Sequence, residues 1–182
     1  MSRPLVVILG GTRSGKSRLG RRRAAELAAG GPVTYIATAL AGVDRELDER
    51  IAAHRADRPA EWATVEAGRE VVAAVREAPP GTTVLLDGLT LWVSLLLDEG
   101  APGVQVLLDG PIRELRAALA DHPGPAVVVS DEVGLGIVPL DPLTRAFRDV
   151  VGIAHQQLVE DADEAWLTIA GRALRLDGEP IR

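Results

Sequence analysis

Leu5-Val6-Val7-Ile8-Leu9-Gly10-Gly11-Thr12-Arg13-Ser14-Gly15-Lys16-Ser17 is a short, unbroken apolar run that passes straight into a glycine-rich turn ending in Lys-Ser. An apolar run without alternation reads as a strand buried on both faces, the usual condition of a parallel sheet. From Gly10 to Ser17 the turn matches G-x-x-x-x-G-K-[ST]. Glycines at this spacing let successive N–H groups turn inward to cradle phosphate oxygens, the helix that follows points its positive end at them, and the serine hydroxyl is placed to meet Mg²⁺. Lys16 is the only lysine of the chain, against nineteen arginines among the 20 basic residues. An ammonium on a thin stem can enter a turn of backbone that a flat guanidinium fork cannot, so retention of lysine at this one place points to phosphate contact.

Beyond this segment, apolar runs alternate with helical patterns. Strands are expected at Leu5–Leu9, Val33–Ile36, Val84–Leu86, Ala126–Val129 and Ala165–Ile169, and helices at Lys16–Ala29, Glu46–Ala56, Arg69–Glu77, Ile112–Ala120 and Leu143–Val159. Such alternation implies an α/β fold with a mostly parallel sheet and crossover helices. Pro79-Pro80-Gly81 and His122-Pro123-Gly124-Pro125 read as turns, and Gly171-Arg172 before Ala173–Leu176 reads as the corner of a terminal hairpin with an antiparallel edge strand. At 182 residues, without repeats or linkers, one domain spanning 1–182 is expected.

Composition narrows the function classes. The 26 acidic residues outnumber the 20 basic ones, for a net charge of −6, which gives no general reason to expect a nucleic-acid partner. The absence of cysteine excludes disulfides, thiolate catalysis and sulfur ligation of metals, and fits a cytoplasmic protein. No signal-peptide layout is visible, and the longest greasy stretch, Thr83 to Leu97, is interrupted by Asp87 and too short to span a bilayer.

Phosphate chemistry needs an acid for the metal. Val84-Leu85-Leu86-Asp87 is an apolar strand ending in a carboxylate, which makes Asp87 the candidate Mg²⁺ residue together with Ser17, although strands also end in Asp for reasons of turn geometry. A second acidic strand end is Ser130-Asp131-Glu132, where Glu132 acts on substrate or metal or else serves as a cap or solvated turn. Of the three histidines, His122 is expected exposed in its Pro/Gly turn, and His155 packed or at the surface of a long helix. His54 follows Leu47 and Ile51 at helical spacing, as a residue of an amphipathic stripe would. It is also crowded by Arg50, Arg55 and Arg58, which favour the neutral, nucleophilic imidazole and would hold a triphosphate.

These blocks, in this order, resemble the bifunctional adenosylcobinamide kinase / adenosylcobinamide-phosphate guanylyltransferase family of cobalamin biosynthesis. The resemblance runs nearly end to end: the Gly10–Ser17 loop with Arg13 and Ser14 fixed, Tyr35-Ile36-Ala37-Thr38-Ala39, Arg50-Ile51-Ala52-Ala53-His54-Arg55, Arg58-Pro59, Trp62–Glu66, Leu86–Val93, Glu132–Pro139 and Arg145–Asp149. It implies a RecA-like P-loop NTPase fold, a homotrimer, and two reactions. A γ-phosphoryl passes from ATP or GTP to the hydroxyl of adenosylcobinamide, and GMP from GTP is then joined to that phosphate.

By the same resemblance His54 carries GMP as a guanylyl-histidine, with Lys16 and Asp87 as the other catalytic residues. Nucleotide contacts fall to Gly10, Gly11, Thr12, Arg13, Ser14, Gly15, Lys16 and Ser17, to Thr38 and Ala39, to Arg55, Ala56, Asp57 and Arg58, and to Glu66, which would accept from guanine or ribose. Trp62 and Trp92 would face a subunit contact or the corrinoid, or else be buried. The chain departs from the family's usual S-N-E-V-G at Asp131, exchanging an amide that can donate for a carboxylate that cannot, and it has Leu95-Leu96-Leu97 and His155-Gln156 in place of the usual N-L-L and N-Q. The residues by themselves leave open a single-activity P-loop small-molecule kinase and a non-catalytic nucleotide-binding switch.

Overall fold

A computed structural model describes residues 3–39, 52, 55, 58–97 and 103–178. Seven strands are described: β1 (Leu5–Gly10), β2 (Val33–Ala37), β3 (Ala63–Glu66), β4 (Thr83–Asp87), β5 (Ala126–Asp131), β6 (Glu164–Ile169) and β7 (Arg172–Arg175). They form one sheet in the order β3-β2-β4-β5-β1-β6-β7. All neighbours run parallel except β6 and β7, which form an antiparallel hairpin at one edge. The helices are α1 (Lys16–Ala28), α2 (Val71–Glu77), α3 (Leu89–Leu97), α4 (Val104–Leu107), α5 (Arg113–Asp121) and α6 (Pro142–Asp161). Between α4 and α5 the chain kinks at Gly110, whose φ −104° and ψ −105° are not helical, just before Pro111, a residue with no N–H to donate.

Residue alternation along the central strands divides the core in two. Val7, Leu9, Val84, Leu86, Ala126 and Val128 face one side with buried residues of α2, α3, α5 and α6, whereas Val6, Ile8, Leu85, Val127 and Val129 face the other with Leu19 and Ala24 of α1. This explains why the sequence shows continuous runs: both faces are covered, so both alternate positions are mostly apolar. The sheet's central position also places the carboxyl ends of β1, β4 and β5 side by side, and in parallel α/β sheets ligands bind beyond those ends.

The expected strands are present, each within two residues of its expected bounds, and the expected terminal hairpin is the β6–β7 pair. The stretch from Thr83 to Leu97 is β4 followed after one residue by α3, whose Trp92 is buried and donates its Nε1 proton to the Arg69 carbonyl at 2.9 Å. Of the helix expected at Glu46–Ala56, only Ala52 and Arg55 are among the described residues, and both are helical. His122 corrects the sequence reading: its ring is buried and meets the Thr82 carbonyl at 2.9 Å, so the Pro/Gly turn folds inward over β4 rather than presenting the imidazole to solvent.

Candidate active site

The P-loop occupies the turn between β1 and α1. Gly15, the residue before the helix, has φ 100°, a left-handed conformation that glycine takes without steric cost. At the other end of the loop, a Cβ on Gly10 would collide with the Thr168 side chain and backbone, so the loop can lie this close to β6 only with glycine there. The hydroxyls of Ser14 and Thr168 are hydrogen-bonded at 2.7 Å, and Gly171 N–H donates to the Ser14 carbonyl at 2.9 Å. The hairpin thus braces the loop from behind, which leaves its concave side to the carboxyl ends of β4 and β5.

Lys16 extends along that concave side. Its Nζ donates to the Gly11 carbonyl at 3.3 Å and forms an ion pair with Asp131 at the end of β5. Ser17 Oγ donates to Asp87 Oδ1 at 3.1 Å. The other oxygen of that carboxylate accepts from the Tyr35 hydroxyl at 2.5 Å. Burial, and then the adjacent Asp87 carboxylate, push the Tyr35 phenol well above its ordinary range, so it stays a proton donor to Asp87. Lys16, Ser17 and Asp87, chosen from the sequence on spacing, therefore converge where β1, β4 and β5 end.

Tyr35 and Asp131 are site-forming residues that sequence reasoning missed. Tyr35 carried a signal, as the chain's one tyrosine in an otherwise small and aliphatic strand. The Arg58 guanidinium lies over its ring, 4.1 Å from the centroid, and the buried Arg58 Nε has no hydrogen-bond partner among the described residues. Thr38 is buried and donates to the Gly88 carbonyl at 3.0 Å, tying the end of β2 to the turn after Asp87, with Ala39 next to it. Arg55 and Glu66 are exposed and form an ion pair with each other. His54, Ala56 and Asp57 lie outside the described residues.

Behind Asp131 is a second polar group. Asp131 N–H donates to Thr90 Oγ1 at 2.7 Å, Thr90 Oγ1 is 3.2 Å from Ser130 Oγ, and Ser130 Oγ is 2.7 Å from His155 Nε2. On its other side the imidazole Nδ1 is 3.6 Å from Glu132 Oε2. His155 is buried, and burial pushes its pKa below the ordinary histidine value against the opposing pull of Glu132 and Asp131, so it is neutral at pH 7.

Ser17 Oγ and the Asp87 carboxylate are hard oxygen donors 3.1 Å apart at the mouth of a phosphate-binding loop, a donor set that suits Mg²⁺, which is commonly held by one or two protein oxygens plus substrate phosphates. Among the described residues there is no group of three or more His, Cys, Asp or Glu side chains able to hold a metal ion by themselves. No helix among them is long and apolar enough to cross a membrane.

A glycine-rich loop between the first strand and first helix, an acid at the end of a strand one removed from it, and an otherwise parallel sheet define a P-loop NTPase with RecA-like strand order. Solved structures agree on the fold: the flagellar accessory protein FlaH from Methanocaldococcus jannaschii is similar with a TM-score of 0.52 at 14% identity, covering 95% of this chain and 77% of that one. The RadB recombinase is similar with a TM-score of 0.50 at 18% identity, covering 90% and 73%. Within that class, the chain matches the cobinamide kinase / cobinamide phosphate guanyltransferase family model over residues 6–176 and belongs to that family. It is 47% identical over 176 residues to the bifunctional adenosylcobalamin biosynthesis protein CobP of Pseudomonas aeruginosa, covering 96% of this chain and 98% of that protein. It is 36% identical to the bifunctional adenosylcobalamin biosynthesis protein CobU of Salmonella typhimurium, covering 94% and 99%.

Proposed function

We propose that this chain phosphorylates the hydroxyl of adenosylcobinamide with ATP or GTP and then transfers GMP from GTP to the resulting phosphate, by way of a guanylyl group carried on His54. The observation that supports this most directly is the convergence of Lys16, Ser17 and Asp87 at the carboxyl ends of β1 and β4 in a member of this family. In the kinase step, the loop amides from Gly11 to Ser17 and the Lys16 ammonium bind the phosphates and offset the charge that spreads over the transferring group. Ser17 and Asp87 would hold Mg²⁺, which, when bound, supplies charge neutralisation at the phosphates. Tyr35 fixes one oxygen of Asp87 and leaves the other directed at Ser17. Arg58, with its guanidinium over the Tyr35 ring and a buried Nε unpartnered among the described residues, suits a nucleotide phosphate, and Thr38, Ala39, Arg55, Ala56, Asp57 and Glu66 complete the proposed nucleotide contacts.

In the second reaction the His54 imidazole displaces pyrophosphate from GTP, and the acceptor phosphate then takes GMP from the phosphoramidate, so one displacement is divided into two. One domain over 1–182, a homotrimer and a cytoplasmic location belong to the same proposal. Incubation with α-labelled and γ-labelled GTP in parallel tests it. The α label should become bound to protein in an acid-labile, alkali-stable form and the γ label should not. His54→Ala should lose the α label and guanylyl transfer while keeping part of its kinase activity; label persisting in that variant would refute the role of His54.

A further inference from the structure

Phosphorylating an alcohol sets a demand that phosphate binding does not meet, because the attacking hydroxyl must lose a proton. The residues assigned so far are poor acceptors. Asp87 is engaged by the Ser17 and Tyr35 hydroxyls, and Asp131, in the free protein, by the Lys16 ammonium. Glu132 is different. Its N–H donates to the Gly10 carbonyl at 3.0 Å, which fixes it at the start of the phosphate-binding loop, one residue beyond the carboxylate that pairs with Lys16. No arginine or lysine is paired with it among the described residues, and its side chain is 23% exposed, open enough to reach a substrate and return a proton to water.

Its carboxylate is also held. Oε1 accepts from Gly134 N–H at 2.5 Å, and Oε2 faces the buried His155 Nδ1 at 3.6 Å. A neutral imidazole with its proton on Nδ1, toward Glu132, must accept at Nε2, so the Ser130 hydroxyl donates there, while Thr90 Oγ1 accepts from Asp131 N–H and its own hydrogen has Asp131 Oδ2 at 3.3 Å and Ser130 Oγ at 3.2 Å to donate to. Ser130 and Thr90 thus link the imidazole to the strand end beside Lys16, and its other nitrogen faces Glu132. The 3.6 Å gap is longer than a hydrogen bond, as catalytic contacts often are before substrate closes the site.

We propose that Glu132 is the proton acceptor of the kinase step and that His155 is the residue that positions it. The inference rests on the kinase reading above. As the substrate oxygen forms its bond to the γ-phosphorus, its O–H bond breaks and the proton passes to Glu132. The bond from the γ-phosphorus to the bridging oxygen breaks, and its electron pair leaves with the nucleoside diphosphate. Glu132, now a carboxylic acid, gives its proton to water. Guanylyl transfer asks nothing of Glu132, because its acceptor is a phosphate already anionic at neutral pH.

The test measures both reactions separately, phosphorylation of adenosylcobinamide and GMP transfer to adenosylcobinamide phosphate supplied ready-made. Glu132→Gln should lower kcat for phosphorylation about 10²–10⁴-fold with the nucleotide KM within about twofold of wild type, and should leave GMP transfer near the wild-type rate. His155→Ala should lower kcat about tenfold or more at an unchanged KM. His155→Asn, which keeps an N–H where Nδ1 lies, should recover much of that loss. Wild-type rates of phosphorylation in Glu132→Gln, or equal loss of both reactions, would overturn the inference while leaving the kinase reading intact. If the wild-type protein phosphorylates no corrinoid, the kinase reading fails, and this inference with it.

Discussion

Asp131→Asn should tighten nucleotide binding. In the free protein the Lys16 ammonium, whose side chain is 14% exposed, is paired with the Asp131 carboxylate, whose side chain is 37% exposed. A phosphate that takes Lys16 must displace that carboxylate. A charge-assisted contact between sheltered groups contributes about 1.5–3 kcal/mol, but an open pair is screened toward about 0.2–1 kcal/mol. With one partner more than a third exposed, about 1 kcal/mol is appropriate. Removing the competitor should therefore lower the nucleotide Kd about fivefold, since about 1.4 kcal/mol is tenfold. Loss of a negative charge beside the triphosphate acts in the same direction. Calorimetric titration of wild type and Asp131→Asn with a non-hydrolysable GTP analogue measures the difference, which should shrink between about 0.05 and 0.5 M salt as the Debye length contracts. Equal or weaker binding by Asp131→Asn would refute the competition, because it would mean that the carboxylate assists the bound state.

Gly20 lies inside α1, where alanine is ordinarily better by about 1 kcal/mol. Here its Cβ would sit 2.6 Å from Val129 Cγ2 in the packed core, so Gly20→Ala should lower Tm by about 2–6 °C, and a raised Tm would contradict the packing of α1 on β5. Asp87→Asn should weaken the Mg²⁺ dependence of phosphorylation and lower kcat about 10²-fold or more while changing nucleotide affinity far less; an unaltered Mg²⁺ titration would remove Asp87 from metal binding. Light scattering should give a mass three times that of the 19.2 kDa chain. A monomer mass at assay concentration would reject the trimer.

Much of the sheet was legible because parallel strands covered on both faces write themselves as apolar runs, and Lys16, Ser17 and Asp87 because the loop's chemistry fixes their spacing. What escaped reading did so for identifiable reasons. Strand β3 is an exposed edge, so Ala63–Glu66 carries no apolar run, and it is a strand because it pairs with β2. Helix α3 is apolar almost all round, and its lack of a polar face merged it with β4 into one greasy stretch. His122 sits in a turn sequence that ordinarily faces water, and only the neighbouring Thr82 carbonyl draws the ring inward. The group formed by Thr90, Ser130, Glu132 and His155 joins residues from position 90 to position 155, so it depends on strand order, which no local pattern encodes.

Strand β1 is made well before its two partners, β5 and β6, which begin at Ala126 and Glu164. During synthesis the chain must therefore carry an unpaired, fully apolar Leu5–Leu9 segment until β5 has left the ribosome. The phosphate loop is later still, because Ser14 is braced by Thr168 and Gly171. Nascent chains that end before Thr168 lack this brace, and the waiting strand is the segment most exposed to mispairing or to capture by a chaperone. In such a chain, the loop between β1 and α1 is braced only once the β6–β7 hairpin has formed.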